Sequence, residues 1–413
     1  MRKILSGRLF EGEVWRNRFD IYVRLVLLFP VIVVFLVSVA FVIGGKCSVW
    51  QWWGGVAIVS MVALWCRRGC VVDALTAIGL FIITMMVFCI WSQCVAATFS
   101  APDQISYHEV AVRLLANGWN PVYCTTPEAI EVNFSLPREF YNVWHVLAMP
   151  KSVWYFDAVG FLVSKNHWNA SMYASTWVLW GVSLNMLSII GKGCIRKMIG
   201  LGLLWGLSTS MEMSADLVLS LAGVGLVINA MSLLKDKRLE VCAVTALSFW
   251  MCTAKQIGAL HCLVGWIIVT VAYAITVRRY RILRLLEIGG CIAALVIAAS
   301  ISPYWTMYRT YKHPLYPCFT SDKEKYPICD FVADFKKWQN ADAAMMGRVG
   351  RFVNAFVSKE FAHWYYRMKN LIFVHVLLLG GILAGGTILR LRPKEVVHRE
   401  ITEFAGWLPF WYC

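Results

Sequence analysis

The stretch Tyr22-Val-Arg-Leu-Val-Leu-Leu-Phe-Pro-Val-Ile-Val-Val-Phe-Leu-Val-Ser-Val-Ala-Phe-Val-Ile-Gly-Gly45 carries a single charged side chain, Arg24, among apolar residues. A helix needs about 20 apolar residues to cross the hydrocarbon core of a bilayer, and this run is long enough. Basic residues precede it, and Lys and Arg are retained on the cytoplasmic side of membrane proteins. They are Arg2, Lys3, Arg8, Arg16 and Arg18. The run therefore predicts a first transmembrane helix whose N-terminus lies in the cytoplasm.

The composition extends this interpretation to the whole chain. Of its 413 residues, 59% are hydrophobic and 15% are charged, and the mean hydropathy is +0.61. Soluble domains average about 45–50% apolar and about 25% charged residues, so a soluble protein is excluded. The net charge of +15 comes mostly from Lys and Arg clusters between apolar runs, which is typical of cytoplasmic anchoring. We therefore expect a protein surrounded by membrane lipid, and no nucleic-acid partner.

Further apolar runs follow the first, and together they predict an all-α, polytopic transmembrane helical bundle of about ten spans. Short loops predicted inside hold two or more Lys or Arg, whereas short outside turns hold one or none, which supports this topology. The further runs lie at about 49–65, 71–99, 170–191, 198–207, 216–234, the two arms of a hairpin over 241–277, 286–302 and 371–389.

The order of the runs divides the chain into five segments. They are N-terminal transmembrane helices (1–100), a first external segment with interfacial helices (101–169), central transmembrane helices (170–302), a second external segment (303–370), and a last transmembrane helix with a cytoplasmic tail (371–413). The apolar end of the tail resembles the start of an unfinished element, so we expect truncation there. In an oxidising compartment Cys318 and Cys329 can form a disulfide, although sequence cannot establish the pairing.

The first long polar stretch is Ala101-Pro-Asp-Gln-Ile-Ser-Tyr-His-Glu-Val-Ala-Val-Arg-Leu-Leu-Ala-Asn-Gly-Trp-Asn-Pro-Val-Tyr123. Val110 and Leu114 recur at helical spacing with Arg113 on the other side, which predicts an amphipathic helix along the membrane surface. Asp103 stands at the start of this helix, where the helix dipole favours a carboxylate. Two interpretations of Asp103 stay open: an ordinary N-terminal helix acid, or a functional carboxylate at a membrane exit.

The two external segments can meet over the helix ends and enclose a cavity at the lipid interface, which suits a substrate with a lipid tail and a polar head. A carboxylate there can deprotonate a hydroxyl group or hold a divalent metal ion, and cations can stabilise a departing phosphate. The cations can equally snorkel toward lipid headgroups, and the histidines can be ordinary interfacial residues. The polar candidates are Asp103, His108, Arg113, Lys151, Arg309, Lys312 and His313.

Other ionisable residues lie near or within the apolar runs, where a charge costs about 2.5–3.5 kcal/mol on insertion scales. They are Asp157, Glu212, Asp216 and Lys255. All four are predicted near the external ends of the spans, so solvation at an interface explains them as well as a transport pathway does.

The polar residues stand in short motifs that resemble those of the GT-C superfamily of integral membrane glycosyltransferases, in particular bacterial members with a D-x-x-S-Y-H motif after an early transmembrane helix. Asp103-Gln-Ile-Ser-Tyr-His108 matches that motif at every named position. Further similar segments follow in the same order: Pro150-Lys-Ser-Val-Trp154, Lys255-Gln-Ile-Gly258, Pro303-Tyr304 and His313-Pro-Leu-Tyr-Pro317.

The resemblance implies transfer of a sugar from a polyprenyl-phosphate-linked donor to an envelope glycan or lipid acceptor, on the external face of the bacterial inner membrane. It implies for Asp103 the role of catalytic acid–base or metal-binding residue. No cofactor is certain, and a divalent metal ion held by Asp103 is the alternative left open. We expect the other candidates to bind substrate: His108, Arg113, Lys151, Arg309, Lys312 and His313.

Two other functions compete with this hypothesis. An oligosaccharide polymerase or ligase shares the many helices and two external loops but uses lipid-diphosphate glycans, which the basic second loop would fit. A polytopic transporter would instead carry interrupted helices and polar groups at mid-membrane.

Overall fold

The computed structural model describes residues 13–66, 71–94, 107–134, 143–167, 172–189, 215–236, 240–255, 258–276 and 282–314. This part of the chain is helical and contains no strand, which confirms the predicted all-α class. A π-helical turn, Ile301–Trp305, joins the last two helices. The helices are α1 (Glu13–Val42), α2 (Val49–Cys66), α3 (Val71–Cys94), α4 (Glu109–Ala116), α5 (Pro127–Phe134), α6 (Val143–Ala148), α7 (Ser152–Val163), α8 (Ala174–Ile189), α9 (Ala215–Asp236), α10 (Val241–Ala254), α11 (Gly258–Thr276), α12 (Ile282–Ala299) and α13 (Thr306–Tyr311).

Among the described residues, three helices are long and apolar enough to cross a membrane. The qualifying stretches are Asn17–Val42 in α1, Val71–Ile90 in α3 and Ala215–Leu233 in α9. A bent pair, Ile288–Ala299 and Ile301–Tyr311, gives a fourth candidate with an angle of 60° between its halves. Within the described residues, length and composition thus support three or four spans.

The prediction of about ten spans is not supported by these residues. Most of the other apolar runs do form helices, but the apolar stretches of these helices are only 10–17 residues long. A straight span needs about 20 residues. The short stretches are Val49–Trp65, Ala174–Ile189, Val241–Ala254 and Gly258–Thr270. The helix Ser152–Val163, in the predicted first external segment, is equally short. The runs predicted at 198–207 and 371–389 lie outside the described residues.

Helices α2 and α3 expose large apolar side chains. They include Trp50, Trp53, Trp65, Ile83, Met86 and Ile90. An apolar surface of this kind is stable against lipid and unfavourable against water, and Trp is enriched at membrane interfaces. This surface is consistent with a membrane protein.

Helix α1 is the central element of the bundle and packs against α2, α3, α8 and α10. The Phe29 ring lies 4.9 Å from the Trp52 ring, 5.2 Å from the Trp177 ring and 6.0 Å from the Phe156 ring. All four side chains are buried. The interior is therefore closed by aromatic packing around the middle of α1, where α2, α7 and α8 meet.

Polar contacts mark the two ends of this bundle. At one end Arg18 binds Asp73 at 2.6 Å and Arg24 binds Glu240 at 2.9 Å. These pairs join the beginnings of α1, α3 and α10, so the three helices leave the same end of the bundle. We call this the Arg18 end.

The opposite end holds the last turns of α1 and α10. The Asn120 side chain donates hydrogen bonds to the carbonyl oxygens of Phe41 and Gly45, both at 2.9 Å. The Ser152 hydroxyl donates to the carbonyl oxygen of Thr253 at 2.6 Å. The segment predicted to be external is therefore anchored on the helix ends remote from Arg18, and we call this the Asn120 end.

The first external segment was predicted to form surface helices, and for α7 this is wrong. Ten of its 12 residues are buried, and it packs against α4, α2 and α1. The sequence Ser152-Val-Trp-Tyr-Phe-Asp-Ala-Val-Gly-Phe-Leu-Val163 is apolar on nearly every face, and a helix without a polar face has to be covered on all sides.

Helix α4 is amphipathic, as its spacing predicts. Its buried side chains are Ala111, Val112, Leu114 and Leu115, whereas Arg113 on the other face is exposed. The apolar face packs against α7 and not against an open surface. The short helix is thus fixed by protein contacts at the Asn120 end.

Candidate functional site

The two segments predicted to be external contact each other at the Asn120 end. The hydroxyl groups of Thr125 and Thr310 are 3.0 Å apart, and α6 packs against the π-helical turn. Tyr123 donates a hydrogen bond to the carbonyl oxygen of Val42 at 2.6 Å. Residues far apart in sequence, from the first segment and from α13, are therefore brought to one end of the bundle.

Asp103, the predicted catalytic residue, lies outside the described residues. Of the other candidates, His108 and Lys151 are buried, with 6% and 1% of their surface exposed. Arg113, Arg309 and Lys312 are exposed, and His313 is half-buried. The predicted substrate-binding residues thus divide into a buried pair and a surface group.

His108 is held by the neighbouring α7. Trp154 donates its indole N–H to His108 Nδ1 at 2.6 Å, and the two rings meet edge to face at 81°. The Tyr107 ring lies 4.4 Å from the His108 ring. His108 is therefore an ordered part of the contact between α4 and α7. The sequence-based alternative, that His108 is an ordinary residue at the lipid interface, does not fit this burial.

Lys151 is directed into the protein. Its Nζ donates to the carbonyl oxygens of Leu147 and Met149 at 2.7 and 2.9 Å, and it lies 6.0 Å from the Trp119 ring centroid. Carbonyl groups at the end of a helix have no partner within the helix, so Lys151 caps α6. Burial lowers the pKa of Lys151 well below its usual range. In this arrangement Lys151 supports the fold and does not face solvent.

Lys151 makes the stability pH-dependent. Because its pKa is lowered in the folded protein, the unfolded chain holds this proton more tightly between the folded-state pKa and about 10.4, the usual value for lysine. Stability should therefore rise with pH through that window, by up to about 1.4 kcal/mol per pH unit. We expect the stability difference between wild type and Lys151→Met to change in favour of wild type as pH rises. Denaturation in detergent at several pH values measures this, and a difference independent of pH would contradict it.

Arg113 is occupied by an ion pair along its own helix. Its guanidinium binds Glu109 at 2.8 Å, and half of its side chain is exposed. Exposed pairs of this spacing contribute only about 0.3–0.5 kcal/mol, so the pair can open to admit an anion.

Around α13, the surface group combines cations with aromatic rings. Arg309 and Lys312 are exposed, together with Trp305 and Tyr308. Among the described residues neither cation pairs with an acid, and Lys312 Nζ donates to the Arg309 carbonyl oxygen at 3.3 Å. The Nδ1 atom of His313 is buried and has no hydrogen-bond partner within the described ranges. Exposed aromatic and basic side chains together are typical of the lipid headgroup region.

Asp157 is more buried than its predicted position near a solvated helix end implies, since only 1% of it is exposed. Its Oδ1 accepts the backbone N–H of Ala174 at 2.7 Å, so it caps the start of α8. Its Oδ2 and the nearby hydroxyl group of Tyr173 are buried, and neither has a hydrogen-bond partner among the residues that the structure describes. Burial raises the pKa of Asp157. The burial of Asp157 could have been predicted from one feature of the sequence, namely that it is the single acid in an otherwise apolar helix.

Lys255 and Asp216 form an ion pair at 2.5 Å that joins the end of α10 to the start of α9. The predicted position of both near one end of the bundle agrees with this contact. Glu212 lies outside the described residues.

Breaking this pair should destabilise the protein. The Lys255 and Asp216 side chains are 11% and 26% exposed, so the pair is intermediate between a surface pair and a buried pair. We therefore expect Lys255→Met to lower the free energy of unfolding by about 1–2 kcal/mol. Combining Lys255→Met with Asp216→Asn should recover part of the loss, because no unpaired charge then remains. Unfolding in detergent measures this, with the exposed Lys46→Met as control. Additive losses would show that the pair contributes nothing.

The described residues contain no group of three or more His, Cys, Asp or Glu side chains that could hold a metal ion. The sequence left open a divalent ion bound by Asp103, and Asp103 lies outside the described residues.

The fold and these contacts define the class of the protein: an all-helical protein with apolar helices that could cross a membrane, and with polar loops gathered at one end. Comparisons with models of known protein families, with curated proteins and with solved structures find no match.

Proposed function

We propose that this chain is a lipid-dependent glycosyltransferase. It would move a sugar from a polyprenyl-phosphate carrier to an envelope glycan or lipid acceptor on the external face of the bacterial inner membrane. The proposal includes about ten spans, a cytoplasmic N-terminus at the Arg18 end, and an external Asn120 end.

One observation supports the proposal most strongly: the 3.0 Å contact between Thr125 and Thr310 at the Asn120 end. An enzyme for a lipid-borne donor needs two groups of side chains at the lipid interface, one for the reacting atoms and one for the phosphate. The segment that follows Asp103 and the helix that carries Arg309 are brought together there.

In the proposed reaction, the carboxylate of Asp103 accepts the proton of the acceptor hydroxyl. The hydroxyl oxygen attacks the anomeric carbon, and the bond between that carbon and the phosphate oxygen breaks. Polyprenyl phosphate leaves with the bonding electrons, and Arg309 and Lys312 stabilise its negative charge. Direct displacement inverts the anomeric configuration. If Asp103 instead holds a divalent ion, the ion would stabilise the phosphate and the hydroxyl.

The exposure of Arg309 and Lys312 beside Trp305 and Tyr308 supports the phosphate-binding part of this scheme. Both cations are at the surface, and the rings beside them suit a depth at which a lipid phosphate lies. A polymerase or ligase for lipid-diphosphate glycans would use the same surface, and its larger headgroup would engage more of the basic residues.

A transporter is supported by a different observation. Ser183 and Asn185 of α8 and Asn229 of α9 are buried, and within the described part of the chain Asn185 Nδ2 and Asn229 Oδ1 have no hydrogen-bond partner. Polar groups inside a membrane bundle are expensive and often line a substrate path. Helices α8 and α9 pack against each other, so these polar groups lie along one helix–helix contact, where a transporter would place its path.

One pair of assays separates these functions. The purified protein in detergent is supplied with polyprenyl-phosphate sugars and with lipid-diphosphate oligosaccharides, and sugar transfer is measured. Protein in vesicles is tested for uptake of soluble sugars. Transfer from the monophosphate donors without uptake is expected. Uptake without transfer would overturn the proposal in favour of the transporter, and transfer from diphosphate donors alone would favour the polymerase or ligase.

A further inference from the structure

A buried hydrogen bond joins two of the sequence motifs. His108 ends the first motif directly before α4, and Trp154 ends the second on α7. The indole N–H of Trp154 donates to His108 Nδ1 at 2.6 Å. Only 6% of His108 and 2% of Trp154 are exposed. Water therefore does not replace this bond.

The donor decides which nitrogen of the histidine carries a proton. An indole N–H can only donate, so Nδ1 has to present its lone pair. In the neutral ring the proton then lies on Nε2. In a doubly protonated ring, the N–H group at Nδ1 would point at the N–H group of Trp154, with the two nitrogen atoms 2.6 Å apart inside the protein. The contact thus selects the neutral Nε2–H form of His108.

Charged side chains on the two helices have partners of their own. On α4, Glu109 binds Arg113. On and before α7, Asp157 accepts the Ala174 N–H and Lys151 donates to two carbonyl groups. The neighbouring titratable ring is that of Tyr107, stacked 4.4 Å from His108. The hydrogen bond from the Trp154 indole to Nδ1 is the contact that fixes this tautomer.

We propose that Trp154 is a positioning residue that holds His108 as a hydrogen-bond donor through Nε2, so that His108 cannot serve as the general base. The role of His108 in catalysis rests on the proposed function, whereas the tautomer does not. This agrees with the proposed transfer reaction, in which Asp103 and not His108 accepts the proton.

The tautomer is measured without any assay of activity. The protein is labelled with nitrogen-15 histidine, and solid-state NMR in lipid bilayers at neutral pH records both ring nitrogens of each of its 8 histidines. The signals that vanish in His108→Gln belong to His108. We expect one protonated and one unprotonated nitrogen, with the proton on Nε2. A proton on Nδ1, or on both nitrogens, would overturn the proposal.

The dependence on Trp154 is tested with Trp154→Phe, which keeps an aromatic ring and removes the donor. The His108 signals should then shift to a mixture of tautomers, whereas the exposed Trp50→Phe should leave them unchanged. Unchanged His108 signals in Trp154→Phe would also overturn the proposal. If Trp154→Phe does not fold, the wild-type spectrum alone decides.

Kinetics test the catalytic part. His108→Gln places an amide N–H2 near the position of Nε2, whereas His108→Asn reaches only the position of Nδ1. Transfer by His108→Gln should fall no more than about tenfold, and transfer by His108→Asn about 100-fold. Equal loss in both would contradict a donor role. Absence of transfer in wild type would defeat the proposed function, and the NMR result would still decide the tautomer.

Discussion

Asp103→Asn should lose sugar transfer almost completely. Asparagine has nearly the shape of aspartate but cannot accept the proton of the acceptor hydroxyl, so the loss should be that of a general base, about 10²–10⁴-fold. The same substitution would remove a metal ligand, and added divalent ions should not restore the rate. Transfer from a polyprenyl-phosphate sugar by the purified variant measures this.

The matched control is Glu128→Gln, which makes the same change of charge on an exposed residue of α5 in the same segment. It should transfer at the wild-type rate. Equal rates for Asp103→Asn and wild type would remove Asp103 from the mechanism, and equal losses in both variants would point to a general effect of charge.

Gly258→Ala should destabilise the protein strongly. Gly258 begins α11, and a Cβ added there would overlap the backbone carbonyl of Met251 on α10. A backbone atom cannot move aside as a flexible side chain can, so the two helices would have to separate. We expect a loss of about 3 kcal/mol in unfolding free energy, at the upper end of overpacking effects.

The control for this substitution is Gly79→Ala in α3, where an added Cβ has nothing within 4 Å. Alanine is favoured over glycine in a helix interior by up to about 1 kcal/mol, so this variant should be stabilised. Unfolding in detergent compares the two. Equal stability of Gly258→Ala and Gly79→Ala would show that the close approach of α10 and α11 is absent.

The helices were the most predictable part of the fold. The apolar run at 49–65 forms α2, the run at 216–234 forms α9, and the amphipathic spacing around Leu114 forms α4. Helix positions follow from local hydropathy and periodicity, which the sequence carries directly. Span number did not follow, because hydropathy marks apolar runs without fixing the length of the helix that each run forms.

The burial of α7 was predictable in principle, since its sequence lacks a polar face. The partners of its polar residues were not. Lys151 binds carbonyl groups of α6. Asp157 caps α8 although it lies 17 residues before Ala174, a separation that helical periodicity does not predict. Such contacts depend on how helices pack, and a residue's charge does not reveal whether it faces a substrate or a helix end.

Several motifs that suggested an enzyme family turn out to lie at packing contacts. Trp154 holds His108, Lys255 pairs with Asp216, and Gly258 lets α10 approach α11. These contacts give a physical reason for the residue types at those positions. The catalytic proposal therefore rests on Asp103 and on the cations of the surface group, and less on the number of motifs.

The central claim is that Asp103 meets a lipid-borne phosphate beside Arg309 and Lys312 at the Asn120 end. A cryo-EM structure of the protein in a lipid nanodisc with added polyprenyl phosphate tests it most directly. The account predicts phosphate density in contact with Arg309 or Lys312, with the Asp103 carboxylate lining the same cavity open to the bilayer. An Asp103 carboxylate in bulk solvent, or at the Arg18 end with no phosphate near it, would contradict the account.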